Sequence, residues 1–296
     1  MIRIYPSFTK VTWENREEIM SFTSHFEVYS DFNFTSLFCW DTDGTAEVSW
    51  LNGNLVLRLP DYISGKPVLT LLGNCQIDDS LHILLAECPI LALIPQEVVN
   101  NIEQPGEFIT EEDRDNFDYI YNVATIANLP GGRLKKKRNK VSSAQKLYGE
   151  RLVSTTYSTI SPELRSGLDA IIEGWSVNTH QLLKDQLNEK EALARLFANA
   201  KIFNLIITYV TIDSVPVGFS INEVIHNDYA ICHFEKALPT HDQLSSVVTN
   251  QAAKDLLAAG CNRVNWEQDL GLEGLRKSKM SFQPACFLKK YTLKHA

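Results

Sequence analysis

After a short apolar start that supplies the first extended segment, apolar residues between Trp13 and Phe26 fall at Ile19, Phe22 and Phe26, a helical spacing, and Asp31 is placed to cap a second short helix through Phe38. Ala46 to Leu51 and Leu55 to Leu59 flank the turn-forming Asn52-Gly53-Asn54 and predict a hairpin, followed by an extended segment from Pro67 to Leu72. Ile77, Leu81, Leu84 and Leu85 mark a helix, Ile90 to Ile94 a buried strand, Pro95 to Ile102 a short helix, and Phe117 to Val123 a closing strand. The second half predicts a strand at Arg151 to Ser158, helices at Pro162 to Val177 and Glu189 to Ala200, and strands at Leu205 to Ile212, Val217 to Ile225 and Tyr229 to Ala237. A helix over 242–259 stopped by Gly260, a strand at Arg263 to Glu267, a helix at Leu272 to Met280 and a strand at Cys286 to Leu293 complete it.

The order strand, two helices, three strands, helix, strand, helix, strand thus occurs twice, without clear residue identity between the halves. That order matches the Gcn5-related N-acetyltransferase (GNAT) fold. The expectation is an α/β protein of two tandem GNAT-like domains with mixed, mostly antiparallel sheets: residues 1–130 and 150–296, joined by a basic helix over 131–149. Fold order alone does not give function.

With 28 basic and 36 acidic side chains the net charge is −8, so any anion site must be local rather than a property of the whole surface. No stretch approaches the apolar length of a membrane span, and the opening Met1-Ile2-Arg3-Ile4-Tyr5-Pro6 lacks a signal-peptide core. A cytoplasmic protein is expected. The cysteines, Cys39, Cys75, Cys88, Cys232, Cys261 and Cys286, show no C-x-x-C spacing and read as reduced thiols. His226, His233 and His241 surround one strand end, but their spacing fits no metal motif, and no metal is expected. Phosphate-loop, dinucleotide-binding, zinc-protease and serine-hydrolase motifs are absent.

Local charge does gather between the halves, where Arg133 to Lys140 holds six cations in eight residues. As a helix it places Leu134, Val141, Ala144 and Tyr148 on one face, Lys137 and Arg138 beside that face, and Lys135, Lys136 and Lys140 outside. Such cations suit an RNA backbone, or else form a solvated face beside the acidic segment 103–118. Arg138, next to the apolar stripe, is expected to meet a buried carboxylate or phosphate. Charged residues also stand where strands end: Glu235-Lys236 after one, and Glu267-Gln268-Asp269 after the next.

Taken together, Ser30-Asp31-Phe32-x-Phe34, Phe117-Asp118-Tyr119-Ile120-Tyr121, Lys137-Arg138-Asn139, Glu235-Lys236, Asn265-Trp266-Glu267-Gln268-Asp269-Leu270-Gly271 and Leu275-Arg276-Lys277-Ser278-Lys279 carry a family resemblance. The chain resembles the bacterial proteins related to the C-terminal domain of phosphatidylglycerol lysyltransferase. That resemblance implies a tandem acetyltransferase-like fold similar to the Fem-type aminoacyltransferases, which take an aminoacyl group from charged tRNA. The multi-helix membrane part of the lysyltransferase has no counterpart here, which weakens a phospholipid acceptor. Where a coenzyme A user carries its pyrophosphate loop, R/Q-x-x-G-x-G/A, this chain reads Glu235-Lys236-Ala237-Leu238-Pro239-Thr240.

The sequence therefore favours acyl or aminoacyl transfer with charged tRNA as donor, acyl-coenzyme A being second choice, and a small-molecule or peptide acceptor. No cofactor beyond the donor substrate is called for. Glu235 or Glu267 is the candidate base and Lys236 or Lys279 the candidate oxyanion or carboxylate partner. Lys136, Lys137 and Arg138 are candidate phosphate contacts, and Asp269 and Arg276 further substrate-binding candidates. The rival expectation is a binding module that holds a small molecule, peptide or RNA without turning it over. An enzyme should keep an open channel reaching Glu235 and Lys279, whereas a module should have it filled by Trp266 or Phe282.

Overall fold

The computed structural model describes residues 1–60, 65–179, 183–226, 228–240 and 243–296, so His241 and the expected helix start at Asp242 lie outside the described residues. In chain order the elements are β1 (Thr9–Lys10), α1 (Arg16–Thr23), α2 (Phe34–Trp40), β2 (Glu47–Leu51), β3 (Asn54–Pro60), β4 (Pro67–Leu72), α3 (Ile77–Glu87), β5 (Leu91–Pro95), α4 (Gln96–Asn100), β6 (Phe108–Glu112), β7 (Asp118–Asn122) and α5 (Val123–Asn128). There follow α6 (Lys135–Tyr148), β8 (Leu152–Tyr157), α7 (Pro162–Thr179), α8 (Leu183–Ala198), β9 (Leu205–Ile212), β10 (Val215–His226), β11 (Tyr229–Ala237), α9 (Leu244–Ala258), β12 (Arg263–Asn265), α10 (Glu273–Met280), β13 (Cys286–Leu288) and β14 (Lys290–His295).

The chain divides into two compact units. The first comprises Met1–Asp118, Gln268–Arg276 and Phe287–Ala296; the second comprises Tyr119–Glu267 and Lys277–Cys286. These boundaries differ from the contiguous segments drawn from the sequence, because strands late in each half complete the unit of the other half.

In the first unit, β1-β2-β3-β4 form an antiparallel sheet and β5-β14-β6 a second one. The hairpin between β2 and β3 closes over Asn52 and Gly53, both at positive φ (52° and 81°), the geometry that favours Asn-Gly in a two-residue turn. The helical stripe of α3, Ile77, Leu81, Leu84 and Leu85, packs on Val56, Leu69 and Leu71 of the first sheet and on Leu91, Ile94, Tyr291 and Leu293 of the second. β6 lies in the acidic segment, where no strand was expected. Glu111 and Glu112 face Lys294 and Lys289 across the ladder, which removes the like-charge penalty of an acid-rich strand.

The second unit is built on a sheet in the order β7-β12-β11-β10-β9-β8. Its pairings are antiparallel from β8 to β11 and between β12 and β7, while β11 and β12 run parallel. α6 and α9 share a core with β9 and β10, in which Ala144 and Tyr148 meet Val210, Ile212, Val217, Leu244, Val247 and Val248. Leu134, Val141, Ala144 and Tyr148 are all buried, while Lys135, Lys136 and Lys140 are exposed.

Candidate functional site

The parallel ladder between β11 and β12 stops at Ile231 and Asn265. Beyond it β11 stays with β10 as far as Ala237, whereas the chain after β12 stays with β7: the Trp266 amide donates to the Tyr119 carbonyl (2.9 Å) and the Tyr119 amide to the Glu267 carbonyl (3.2 Å). The two strands therefore part, and His233 and Glu235 on one side of the wedge oppose Trp266 and Glu267 on the other. His233 is itself the extra residue of a bulge, since Asn222 pairs with Cys232 and Ile221 with Phe234.

Glu235 points to the face covered by α9 and α6. Its Oε1 accepts a hydrogen bond from Thr249 Oγ1 (2.6 Å), while Oε2 is buried and makes no hydrogen bond among the described residues. Burial raises its carboxyl to about 7 against the opposing pull of the Thr249 hydrogen bond and the Lys279 and Lys137 charges. Lys236, the next residue, points to the opposite face, where it pairs with Glu189 (2.9 Å) and lies over the Trp175 ring at 3.6 Å. Strand alternation thus separates two residues that the sequence placed together, and Lys236 does not join Glu235.

Lys279 does join it. Its Nζ donates to the Trp266 carbonyl, its own carbonyl accepts from Tyr121 Oη (2.9 Å), and its charge acts on Glu235. An aromatic cluster surrounds these groups: Tyr121 meets Trp266 at 4.4 Å between ring centroids, and Trp266 meets Phe282 edge to face at 5.7 Å. Lys137 Nζ sits over Phe282 at 3.8 Å. Burial, with help from the Lys140 charge, lowers this ammonium to about 8, although Glu235 pulls the other way. Cys232, next to Ser220 (3.5 Å), has its thiol pushed up by burial and the Glu235 charge, which disfavours the thiolate.

Glu267 is engaged with His233 rather than with Glu235. His233 Nε2 is 2.9 Å from Glu223 Oε2, and its Nδ1 is 3.7 Å from Glu267 Oε1. Despite burial, which opposes charge, these two carboxylates raise the imidazole to about 9. His233 is therefore an imidazolium clamped between two acids.

The remaining sequence candidates lie elsewhere. Asp269 and Arg276 belong to the first unit, where Asp269 accepts from Arg276 Nε (2.9 Å), Arg114 (3.2 Å) and the Gly271 amide (2.9 Å), while Arg276 also reaches Asp115 (2.6 Å). This charge cluster pins the turn before α10. Lys136 is exposed on α6. Among the described residues Arg138 has no carboxylate partner: its Nη1 donates to the carbonyls of Leu129 (2.6 Å) and Gly131 (3.0 Å), left over where α5 ends, which corrects the expected buried carboxylate.

Sequence reasoning missed Glu223, Thr249 and Lys290. Lys290 is fully buried in the first unit, paired with Asp31 and with Asp118 (2.8 Å), whose other oxygen accepts from the Ser30 amide (2.7 Å). The Ser30-Asp31 and Asp118 signatures thus meet one ammonium and hold the fold together. A charged residue at a buried strand position was the available cue for Glu223 and Lys290.

The chain matches the family described as phosphatidylglycerol lysyltransferase, C-terminal, over residues 28–294. It belongs to that family. Among solved structures it is similar to a conserved protein of unknown function from Bacteroides thetaiotaomicron VPI-5482, at 25% identity and a TM-score of 0.82, covering 100% of both chains. It is also similar to L-PGS from Bacillus licheniformis, at 12% identity and a TM-score of 0.62, covering 99% of this chain and 93% of that one. A tandem GNAT protein from the clavulanic acid biosynthesis pathway aligns at 11% identity and a TM-score of 0.53, covering 98% of each chain. A search of curated proteins found no match. The fold of this lysyltransferase-family chain is thus mixed α/β and GNAT-like, with mostly antiparallel sheets. Among the described residues no helix is long and apolar enough to cross a membrane.

Proposed function

We propose that the chain is an acyltransferase that moves an aminoacyl group from a charged tRNA to an acceptor nucleophile in the second unit. The family and the GNAT-like scaffold support acyl transfer, and one observation supports placing it here: the half-buried Glu235, whose Oε2 atom is buried with no hydrogen-bond partner among the described residues and whose carboxyl is raised to about 7, at the point where β11 and β12 part. An activated ester needs a base for the acceptor's proton and a cation or dipole for the oxyanion. Glu235 is the base, and Lys279 is the cation that faces the developing charge. The exposed Lys135, Lys136 and Lys140 meet the donor's phosphates. Acyl-coenzyme A is the secondary donor, since the segment after β11 lacks the glycine loop.

Incubation with mixed charged tRNAs tests the reading. The expected result is accelerated loss of the aminoacyl ester, reduced about 10²- to 10⁴-fold in Glu235→Gln. A parent protein that neither accelerates this loss nor binds the tRNAs would overturn it. One observation favours the rival, a binding module: Trp266 and Phe282 are both buried and pack against each other beside Lys279 and Lys137, as expected of a filled channel. That reading predicts tRNA or small-molecule binding with an unchanged deacylation rate.

A further inference from the structure

Resting on the acyl-transfer reading, we propose that Lys137 is the general acid that protonates the departing ester oxygen, and not one more phosphate contact. Three lysines stand at or beside the wedge, and two are committed: Lys236 to Glu189 on the far face, and Lys279 Nζ to the Trp266 carbonyl. Lys137 alone of the three forms no ion pair or hydrogen bond to an acceptor among the described residues; its ammonium rests on the Phe282 ring, on the same side of the sheet as Glu235. A proton donor must be free to deliver. It must also lose its proton readily near neutral pH, and the surroundings of Lys137 set this balance: burial and the Lys140 charge favour the neutral amine, while Glu235 and the face of the Phe282 ring favour the ammonium.

The chemistry balances. The acceptor's nucleophilic atom bonds to the ester carbonyl carbon, and Glu235 takes its proton. The bond from that carbon to the alcohol oxygen of the tRNA then breaks, and the oxygen receives a proton from Lys137 Nζ. Passing the proton from Glu235 back to Lys137, through solvent or product exchange, restores both groups. Base and acid are thus different residues of one site, with Glu235 ionised above about 7 and Lys137 protonated below about 8.

Leaving-group dependence separates this role from simple charge. Two donors with the same aminoacyl group are compared: a charged tRNA, whose alcohol leaves poorly without a proton, and a p-nitrophenyl ester, whose phenolate leaves unaided. Lys137→Met keeps the contact with Phe282, and Lys137→Arg keeps the positive charge without a transferable proton. Both variants, checked for parental thermal unfolding, should lose about 10²-fold or more with charged tRNA and no more than a few-fold with the phenyl ester. The alkaline limb of kcat/KM near pH 8 should disappear in both. An Arg variant as active as the parent on charged tRNA, or equal slowing on both donors, overturns the proton-donor role while leaving acyl transfer intact. A parent inactive on both donors overturns the two proposals together.

Discussion

Glu235 and His233 lie two residues apart on β11, Glu235 half-buried and His233 buried, and each holds its proton to a higher pH than its side chain ordinarily does. The difference lies in the dominant influence: burial outweighs the Thr249 hydroxyl and the lysine charges at Glu235, whereas at His233 two carboxylates, at 2.9 and 3.7 Å, outweigh burial. Both values are raised, so both favour the fold when protonated and oppose it as the proton leaves. For Glu235 that contribution is complete below the ordinary value of 4.5 and is lost as pH rises through about 7. For His233 it is complete below 6.5 and is lost as pH rises through about 9. Urea midpoints measured from pH 4 to 10 should therefore fall in two stages. Glu235→Gln should flatten the first stage, and His233→Gln the second, at a cost on the order of 2 kcal/mol near pH 6. A parent protein whose midpoint is constant from pH 6.5 to 9 would refute the imidazolium assignment. Glu235 was legible in the sequence as a charge at a strand end. Its separation from Lys236 was not, because side-chain direction follows from pairing register, which the residue string alone does not state.

At the scale of elements, α6 was the most legible part of the chain. A single apolar stripe, Leu134, Val141, Ala144 and Tyr148, identifies both the helix and its buried face, and the burial of all four fixes where its cations point. Replacing Lys135, Lys136 and Lys140 by Ala should leave the melting temperature nearly unchanged. If these residues contact a nucleic-acid backbone, the slope of log affinity against log salt should fall by roughly two to three units. An unchanged slope, or no RNA affinity in the parent at low salt, would leave the run as a solvated face. Arg138→Ala should act on stability instead. Its guanidinium caps backbone carbonyls and is partly exposed, so the loss is about 1–2 kcal/mol, less than for a stranded buried carboxylate. β6 shows the opposite case, for its Glu-rich sequence reads as loop until Lys289 and Lys294 are placed beside it, and those partners are 177 and 183 positions away in the chain.

For the whole molecule, strand periodicity identified Phe117 to Val123 and Cys286 to Leu293 as strands but could not say which sheet each enters. Residue 119 onward of the first joins the second unit, and β14 returns to the first. The contiguous fragment 1–130 therefore lacks the middle strand of the β5-β14-β6 sheet and with it Tyr291 and Leu293 from the core. It also lacks Lys290, which leaves Asp31 and Asp118 as buried carboxylates with no ammonium between them. Stranding a buried charge costs about 3–5 kcal/mol, and losing two large apolar side chains from a core costs roughly 1.5–3 kcal/mol each. Against a typical domain stability of about 5–15 kcal/mol, those losses consume most or all of the margin. Fragment 1–130 should show no cooperative thermal transition and poor amide dispersion by NMR, and adding a peptide of residues 286–296 in excess should recover part of the dispersion. A fragment that melts cooperatively by itself would show that the first half closes its own sheet, and that β14 only decorates a unit already complete.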